Sequence, residues 1–484
     1  IYSIKRIIGR NFSDDKLKED IKYLNYKIIE KNNLPVIEVN KEKSIYYTPE
    51  EISSLILEKL IDSARKFLSR EIKKVVISVP ANFNNSQREA TKRAAEKIGL
   101  EVIRIINEPT SAALAYAFCE NNCILNKKYN NNFSQIFHER RKLRQSQNSC
   151  NDNENTYSKR INFINEDNKE NTKKILVFDL GGGTYDLAIL KLKNNEYEVI
   201  SKYTDEHLGG DDFDLRIMNY CLKQFGTDIK NALANKLIDT ITEERLKNAC
   251  ELVKRLLSTE QEASIKVCKF YGNADFNIHL SRNQFEKEIC KDLFNKFEKT
   301  IRILLNEKEL KPDDINEVLL VGVSSKMPYI KEILNEIFKN SKINDSINPD
   351  EIVGYGATIQ AAMILSRDEN NRINHHYLKD VKLIDITPLS LGTDILNKSS
   401  GDAEMKIIIK KGTKMPCSAR EEYATIEDNQ ENMLVGVYEG ESKNLKKNNL
   451  LGEFKIENLP KKPKGQVVCT IEFNIDLKNI LTVT

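Results

Sequence analysis

The sequence predicts an α/β domain followed by an all-β domain, and three observations carry that prediction. At 484 residues the chain is too long for one hydrophobic core, which seldom grows past roughly 250 residues before the chain splits into domains. Strand-like and helix-like patterns alternate over residues 50–116 and again over 174–364, a rhythm that argues for helices packed on a largely parallel sheet. Beyond Arg372 the texture changes to short β-type runs such as DITPLSLG, MKIIIKKGT and MLVGVYEGE, broken by Gly, Pro, Asn and Asp.

The elements follow in order. Ile52, Leu55, Ile56, Leu60, Ala64 and Phe67 recur near helical spacing over 50–69, and KKVVISVP after them is a β-branched strand that Pro80 ends. Asn84 and Asn85 cap a helix running to Lys97, which Gly99 closes. EVIRIINEP returns as a strand, and a short alanine-rich helix starts at Thr110. Residues 119–173 are dominated by asparagine, lysine, serine and glutamate, with too few apolar side chains to offset the entropy of ordering, which predicts a disordered insertion. KKILVFDLGGGTYDLAILKL restores the α/β rhythm, which ends with strand VLLVGV and a helix over 355–365. The expected division is 1–378 for the first domain, 379–385 for a connector and 386–484 for the all-β domain.

Composition narrows the function classes. Lysine plus arginine (75) nearly balances aspartate plus glutamate (72), so the chain lacks the broad positive field of sequence-independent nucleic-acid binding, and a small ligand or a polypeptide is the expected partner. No run approaches the roughly 18–20 apolar residues of a membrane span. Nine scattered cysteines without C-x-x-C spacing fit a reducing compartment, and a cytoplasmic location is expected. The chain opens at Ile1, so any targeting signal lies upstream.

The strongest local signal is Asp179-Leu180-Gly181-Gly182-Gly183-Thr184-Tyr185-Asp186, set between apolar runs. It reads as strand, glycine turn, strand. Gly181, Gly182 and Gly183 let main-chain N–H groups approach an oxygen-rich ligand, which suits a phosphate, and Thr184 adds a hydroxyl. Asp179 and Asp186 are carboxylates placed to hold the water shell of a magnesium ion. A bare GGGT would be read as a hairpin turn; the flanking aspartates reverse that. Glu251, Lys254, Arg255 and Ser258 fall at offsets of three, four and seven, hence on one helix face, which by itself reads as an ordinary salt-bridged surface.

DLGGGTYD resembles the second phosphate motif of the actin-like ATPases, and INEPTSAALAY is similar to the segment that precedes it in chaperones of the seventy-kilodalton heat-shock family. SIKRIIGR, SVPANFNNSQREATK, HLGGDDFD, INPDEIVGYGATIQAA, DITPLSLG and EDNQ match the same family collinearly, over nearly the whole chain apart from the insertion. The resemblance implies an actin-like (ribonuclease-H-like) two-lobed ATPase domain, followed by an all-β peptide-binding sandwich. It implies a catalytic role for Lys5, Glu108, Asp179 and Thr184, and magnesium association for Asp179, Asp186 and Glu108 through water. It assigns nucleotide binding to Gly181, Gly182, Gly183, Gly209, Gly210, Glu251, Lys254, Arg255, Ser258, Gly322, Lys326 and Asp350. Pro80, Arg88, Leu383 and Ile384 match coupling positions, and Leu396, Tyr423, Ile426 and Met433 match the peptide groove. ATP or ADP, magnesium and, as a further ion, potassium are the implied cofactors. Unfolded polypeptide, a J-domain cochaperone and a nucleotide-exchange factor are the implied partners.

The sequence departs from the family pattern in places. Val323 and Lys326 stand where the family has a second glycine and an arginine, and a lysine does not stack as a planar cation. Lys382 interrupts the apolar linker strip and opposes its docking unless the ammonium snorkels outward. The residues NKSSGDAE lengthen a loop near the groove. The family's opening Asp-Gly-Thr-Thr hairpin is not found between Ile1 and Tyr116, and the chain stops at Thr484 before a finished sandwich or lid, which reads as truncation at both ends. Two functions follow: an ATP-driven chaperone, or a non-hydrolysing relative serving as holdase or nucleotide-exchange partner. A sugar kinase of the same fold has no use for the β domain.

Overall fold

A computed structural model describes residues 1–22, 24, 26–40, 44–125, 172–193, 196–224, 239–271, 274–366, 382–396, 403–476 and 480–484. Asp14 caps helix α1 (Asp15–Ile21) by accepting the Lys16 N–H. Strands β1 (Lys27–Lys31), β2 (Leu34–Asn40) and β3 (Ile45–Tyr47) form an antiparallel sheet in that order, with Asn32 and Asn33 supplying the positive φ angles of the first hairpin turn. Thr48 and Glu51 satisfy each other's backbone N–H groups, and with Pro49 in the first turn they start α2 (Pro49–Leu68).

Helix α2 has the predicted span but not the predicted burial. Ile52 is buried, whereas Leu55, Ile56, Leu60 and Phe67 are exposed. The spacing reports a helical apolar stripe correctly; it does not report whether anything packs on it.

Strands β4 (Lys74–Val79) and β5 (Glu101–Asn107) pair in parallel across helix α3 (Asn85–Glu96), which Asn84 and Gln87 cap reciprocally. Helix α4 (Glu108–Leu125) continues directly from β5, so it starts at Glu108 rather than Thr110. The expected insertion boundary at 119 therefore falls inside a helix, and 126–171 lie outside the described residues.

The central sheet uses β6 (Lys173–Leu180), β7 (Tyr185–Lys193) and β8 (Glu196–Asp205). Helices α5 (Gly210–Gln224) and α6 (Thr240–Leu256), hairpin β9 (Glu262–Tyr271) and β10 (Ala274–Ser281), and helix α7 (Lys291–Asn306) follow. Then come β11 (Glu317–Val321), helix α8 (Pro328–Ile337), β12 (Lys342–Asn344), helix α9 (Ile352–Ser366) and the connector strand β13 (Lys382–Ile384). The strand order is β12-β11-β6-β7-β8-β13. The expectation of largely parallel pairing is met in part, because the sheet is mixed: β11 pairs in parallel with β12 and β6, and β13 with β8, whereas β7 is antiparallel to both β6 and β8. The links between β6, β7 and β8 are too short for the crossover that parallel neighbours need. Phe178, Tyr185, Phe213, Phe294 and Phe297 are fully buried on one side of this sheet, in a cluster that roots the glycine turn.

The concern over Lys382 is likewise corrected. β13 docks on β8 with Lys382 opposite Glu196, and the exposed ammonium pairs with that carboxylate at 3.0 Å. The charge snorkels to the surface while Leu383 and Ile384 are half-buried. Because exposed pairs contribute little, Lys382→Ala is expected to change thermal stability by about 0.5 kcal/mol or less, readable as an unchanged melting midpoint. Asp380 and Val381 lie outside the described residues.

The β domain is a sandwich. One sheet has the order β15 (Ala403–Ile409), β14 (Leu391–Leu396), β17 (Met433–Glu439), β18 (Asn449–Ile456), and the other has β16 (Cys417–Ala424), β19 (Val468–Ile475), β20 (Leu481–Val483). Leu391, Val435, Val437, Ile471 and Phe473 fill the space between them. Of the lengthened loop NKSSGDAE, residues 397–402 lie outside the described residues, and Ala403 and Glu404 open β15.

Candidate active site

Strands β6 and β7 are in register so that Asp179 faces Asp186, and Gly181–Gly183 turn between them, with the Gly181 N–H donating to Thr184 O at 3.0 Å. The start of α5 seats on this turn: Gly210 N–H donates to Gly181 O at 3.0 Å and Asp211 N–H to Gly182 O at 2.8 Å. A β-carbon at Gly209 would lie 2.5 Å from Gly182 O, and one at Gly210 would lie 2.7 Å from Ser324 Oγ. Gly322 closes the third side. Its φ is +80°, and a β-carbon there would lie 2.3 Å from Leu180 O. Three loops remote in sequence thus converge because glycine alone lets their backbones touch.

The N-terminal segment lies across this convergence. Lys5 Nζ donates to Glu108 Oε1 at 2.7 Å, and Glu108 opens the first turn of α4. Arg6 donates to Gly183 O at 2.9 Å and to Asp212 at 2.8 Å, and Ser3 donates to Asp211 at 2.8 Å. Sequence reasoning missed Arg6, Ser3, Asp212 and Ser324. The adjacency of Arg6 to Lys5 is visible in the chain, but nothing in one dimension shows which backbone carbonyl it reaches.

The electrostatics suit a cation among anionic oxygens. Burial, and then the neighbouring Glu108 and Asp186 charges, push the Asp179 carboxyl well above its usual range despite Lys5. Burial and Glu108 likewise raise Asp186 to about 7, against hydrogen bonds from Thr204, Ala81 and Thr184. Glu108 above all, then Asp179 and Asp186, raise the Lys5 ammonium, so it stays protonated. Asp186 Oδ2 is buried without a hydrogen-bond partner. Among the described residues no three His, Cys, Asp or Glu side chains converge to cage a metal. All-oxygen donors with an idle buried carboxylate oxygen, and no full cage, fit magnesium, which keeps several waters and takes its remaining ligands from phosphate.

The α6 face departs from a free nucleotide-binding surface. Lys254 is buried and donates to Gly210 O and to Asp214, both at 2.8 Å, so it fixes α6 to the start of α5. Burial raises Asp214 to about 6 in spite of that ammonium. Arg255 is exposed and paired with Glu251 at 2.6 Å, and Ser258 Oγ donates to Lys254 O at 3.4 Å. Lys326 pairs with Asp350 at 2.9 Å, and Val323 is half exposed.

From the site a polar chain runs to the connector. Ala81 N–H, next to buried Pro80, donates to Asp186 Oδ1 at 3.1 Å, and Arg88 Nη2 donates to Ala81 O at 3.2 Å and to Asn107 Oδ1 at 2.6 Å. Asn107 Nδ2 donates to Asp385 Oδ2 at 2.8 Å, and Thr110 adds a bond at 3.2 Å. On β8, Thr204 bonds Asp186 while Lys202, two residues away, bonds Asp385. Burial pushes Asp385 upward, but Lys202, the Ile386 N–H and Arg88 outweigh it and hold the carboxyl below its ordinary value.

A family model described as Hsp70 protein matches residues 1–132 and 164–484. The chain belongs to the Hsp70 family. It is 35% identical over its whole length to "Heat shock 70 kDa protein" of Neurospora crassa, covering 66% of that protein. It shows the same identity to "Heat shock 70 kDa protein 2" of Paracoccidioides lutzii, covering 65%, and to "Heat shock cognate 70 kDa protein 3" of Dictyostelium discoideum, covering 68%. The chain thus spans about two thirds of the length of these relatives. In the sandwich, Tyr423 bonds the Thr393 hydroxyl and Met433 is buried, while Leu396 and Ile426 are exposed.

Proposed function

We propose that this chain is part of an ATP-driven molecular chaperone, in which hydrolysis at the glycine loops is coupled to holding and releasing extended polypeptide in the sandwich. The observation that carries this is the polar chain from Asp186 through Ala81, Arg88 and Asn107 to Asp385, which ties a metal-associated carboxylate to the connector. Membership in the family supports it. Lys5 and Glu108 stand ready to orient the attacking water and receive its charge, Thr184 to donate to the terminal phosphate, and Gly181, Gly182, Gly183, Gly209, Gly210 and Gly322 to admit the phosphates close to main chain. Magnesium, held through water by Asp179, Asp186 and Glu108, neutralises phosphate charge when bound. Glu251, Arg255 and Ser258 take the nucleoside, and Lys254 sets the position of Gly210 beneath it.

Pro80 and Arg88 report the state of Asp186 to Leu383 and Ile384. Leu396, Tyr423, Ile426 and Met433 receive peptide, whose main chain bonds to strand edges. J-domain and nucleotide-exchange cochaperones and potassium complete the reading, in a cytoplasmic setting. Among the described residues no helix is long and apolar enough to cross a membrane.

A second reading, a non-hydrolysing holdase or exchange partner, draws on Lys326, whose ammonium is paired with Asp350 and offers no planar stack to a base. One experiment decides. Single-turnover hydrolysis by the full protein, with release of a labelled extended peptide followed in parallel, is expected to need magnesium, and ATP to speed release by about tenfold or more. ATP uptake without turnover selects the second reading. No magnesium-dependent uptake at all overturns the ATP-driven reading and leaves a passive polypeptide binder.

A further inference from the structure

Where α3 meets the sandwich there is a small cavity of about 20 Å³, lined by Asn85 and Arg88 on one side, by Thr387 and Glu439 on the other, and otherwise by apolar side chains. Arg88 is only 5% exposed. Its Nε and Nη2 donate to Phe83 O, Ala81 O and Asn107, but its buried Nη1 reaches no acceptor. Across the cavity Glu439, 4% exposed, accepts the Asn85 N–H at the first turn of α3 at 3.0 Å. Asn449, which also donates to Glu439, reaches Ser86 Oγ at 3.4 Å.

We propose that a single water molecule in this cavity joins Arg88 Nη1 to Glu439, and that protonation of Glu439 sets how tightly the sandwich docks on α3. The volume is that of about one water, and the lining supplies an idle donor and a carboxylate, the polar partners such a water requires. A buried guanidinium N–H without an acceptor is costly, so the site favours being filled. Glu439 thereby joins Pro80, Arg88, Leu383 and Ile384 as a coupling residue, and it is the member carried by the sandwich.

The charges around Glu439 fix the direction of its response. Arg88 faces it from α3, Glu441 lies two residues on and is bonded to Ser390, and Asp385 and Lys202 are paired with each other beyond Arg88. Burial raises Glu439 from 4.5 to about 6, and the Asn85 N–H, Arg88 and Asn449 only partly oppose it. A carboxyl raised on docking favours the docked state in its protonated form. Docking is therefore tightest below the undocked value and weakens as pH rises through about 6; between pH 7 and pH 5 the docking constant gains about eightfold.

The inference rests on the domain docking used in the proposed function, not on hydrolysis. The test places an energy-transfer pair on the α/β domain and the sandwich of the full protein and follows docking from pH 7 to pH 5, with and without a non-hydrolysable ATP analogue. The wild type is expected to gain about eightfold in at least one condition. Glu439→Gln is expected to be flat within about twofold while keeping the wild-type melting midpoint, since the amide stays neutral throughout. A high-resolution crystal structure is expected to show a water bonded to Arg88 Nη1 and Glu439. A wild type without response in both conditions, a Gln variant that responds like wild type, or a direct Arg88–Glu439 bond in place of the water would overturn the proposal.

Discussion

Replacing Lys5 with alanine is expected to lower single-turnover ATP hydrolysis by about 10²–10³-fold while leaving nucleotide affinity within a few-fold of wild type. Lys5 has a side chain that is 60% exposed, bonds Glu108, and feels Asp179 and Asp186. No hydrogen bond among the described residues joins it to the glycine loops, which Arg6 and Lys254 brace instead. Its removal therefore strips a cation from the proposed reacting centre without dismantling the walls. Glu108 is left without its ammonium beside two other carboxylates, which aggravates the loss at the point where negative charge must be tolerated. The check is a pair of measurements on one preparation: the rate from single-turnover kinetics and affinity from calorimetry. Equal losses in both would mean that Lys5 shapes the site rather than acting in the chemistry.

The largest stability effect is expected at Gly356. A β-carbon there would stand 1.7 Å from Ser111 O and 2.4 Å from Ser111 C, inside the crossing of α9 and α4. No rotamer relieves a backbone clash, so Gly356→Ala forces the helices apart and breaks the Ser111 Oγ bond to Val353 O, now 2.8 Å. A loss of about 3 kcal/mol or more is expected, visible as a lowered denaturant midpoint. At Gly354, two residues earlier, a β-carbon would meet nothing within 4 Å. Gly354→Ala is the control, expected to be neutral or stabilising by up to about 1 kcal/mol because alanine is the better helix former. Since α4 begins at Glu108, the Gly356 variant is also expected to lose activity in proportion to the displaced helix.

The contrast between those glycines shows how legibility divides. The turn Gly181–Gly183, the Asn84 cap and the strand ending at Pro80 rest on local chemistry, which a short window of sequence contains in full. Strand direction in the central sheet does not: β6, β7 and β8 repeat apolar runs that look alike in either orientation, and only connection length distinguishes them. Burial of charge is less visible still. Arg88, a charged residue within a polar helix sequence, is enclosed by carbonyls of 81 and 83 and by Asn107, because α3 lies against β5. Lys254 follows the same logic, its offset of three from Glu251 showing a shared face without showing that the ammonium turns inward to Asp214. Asp385, the last residue of the expected 379–385 connector, proves to be the anchor for Lys202, Asn107 and Thr110.

The pairing of residues 382–384 with β8 has a further mechanical consequence. Three residues complete the rim of a six-stranded sheet, so their departure would uncover a row of unsatisfied amides and carbonyls on β8 at one stroke. The Lys202–Asp385 ion pair directly follows the strand and anchors its end. Attachment of the connector is thus built as a snap rather than a slide.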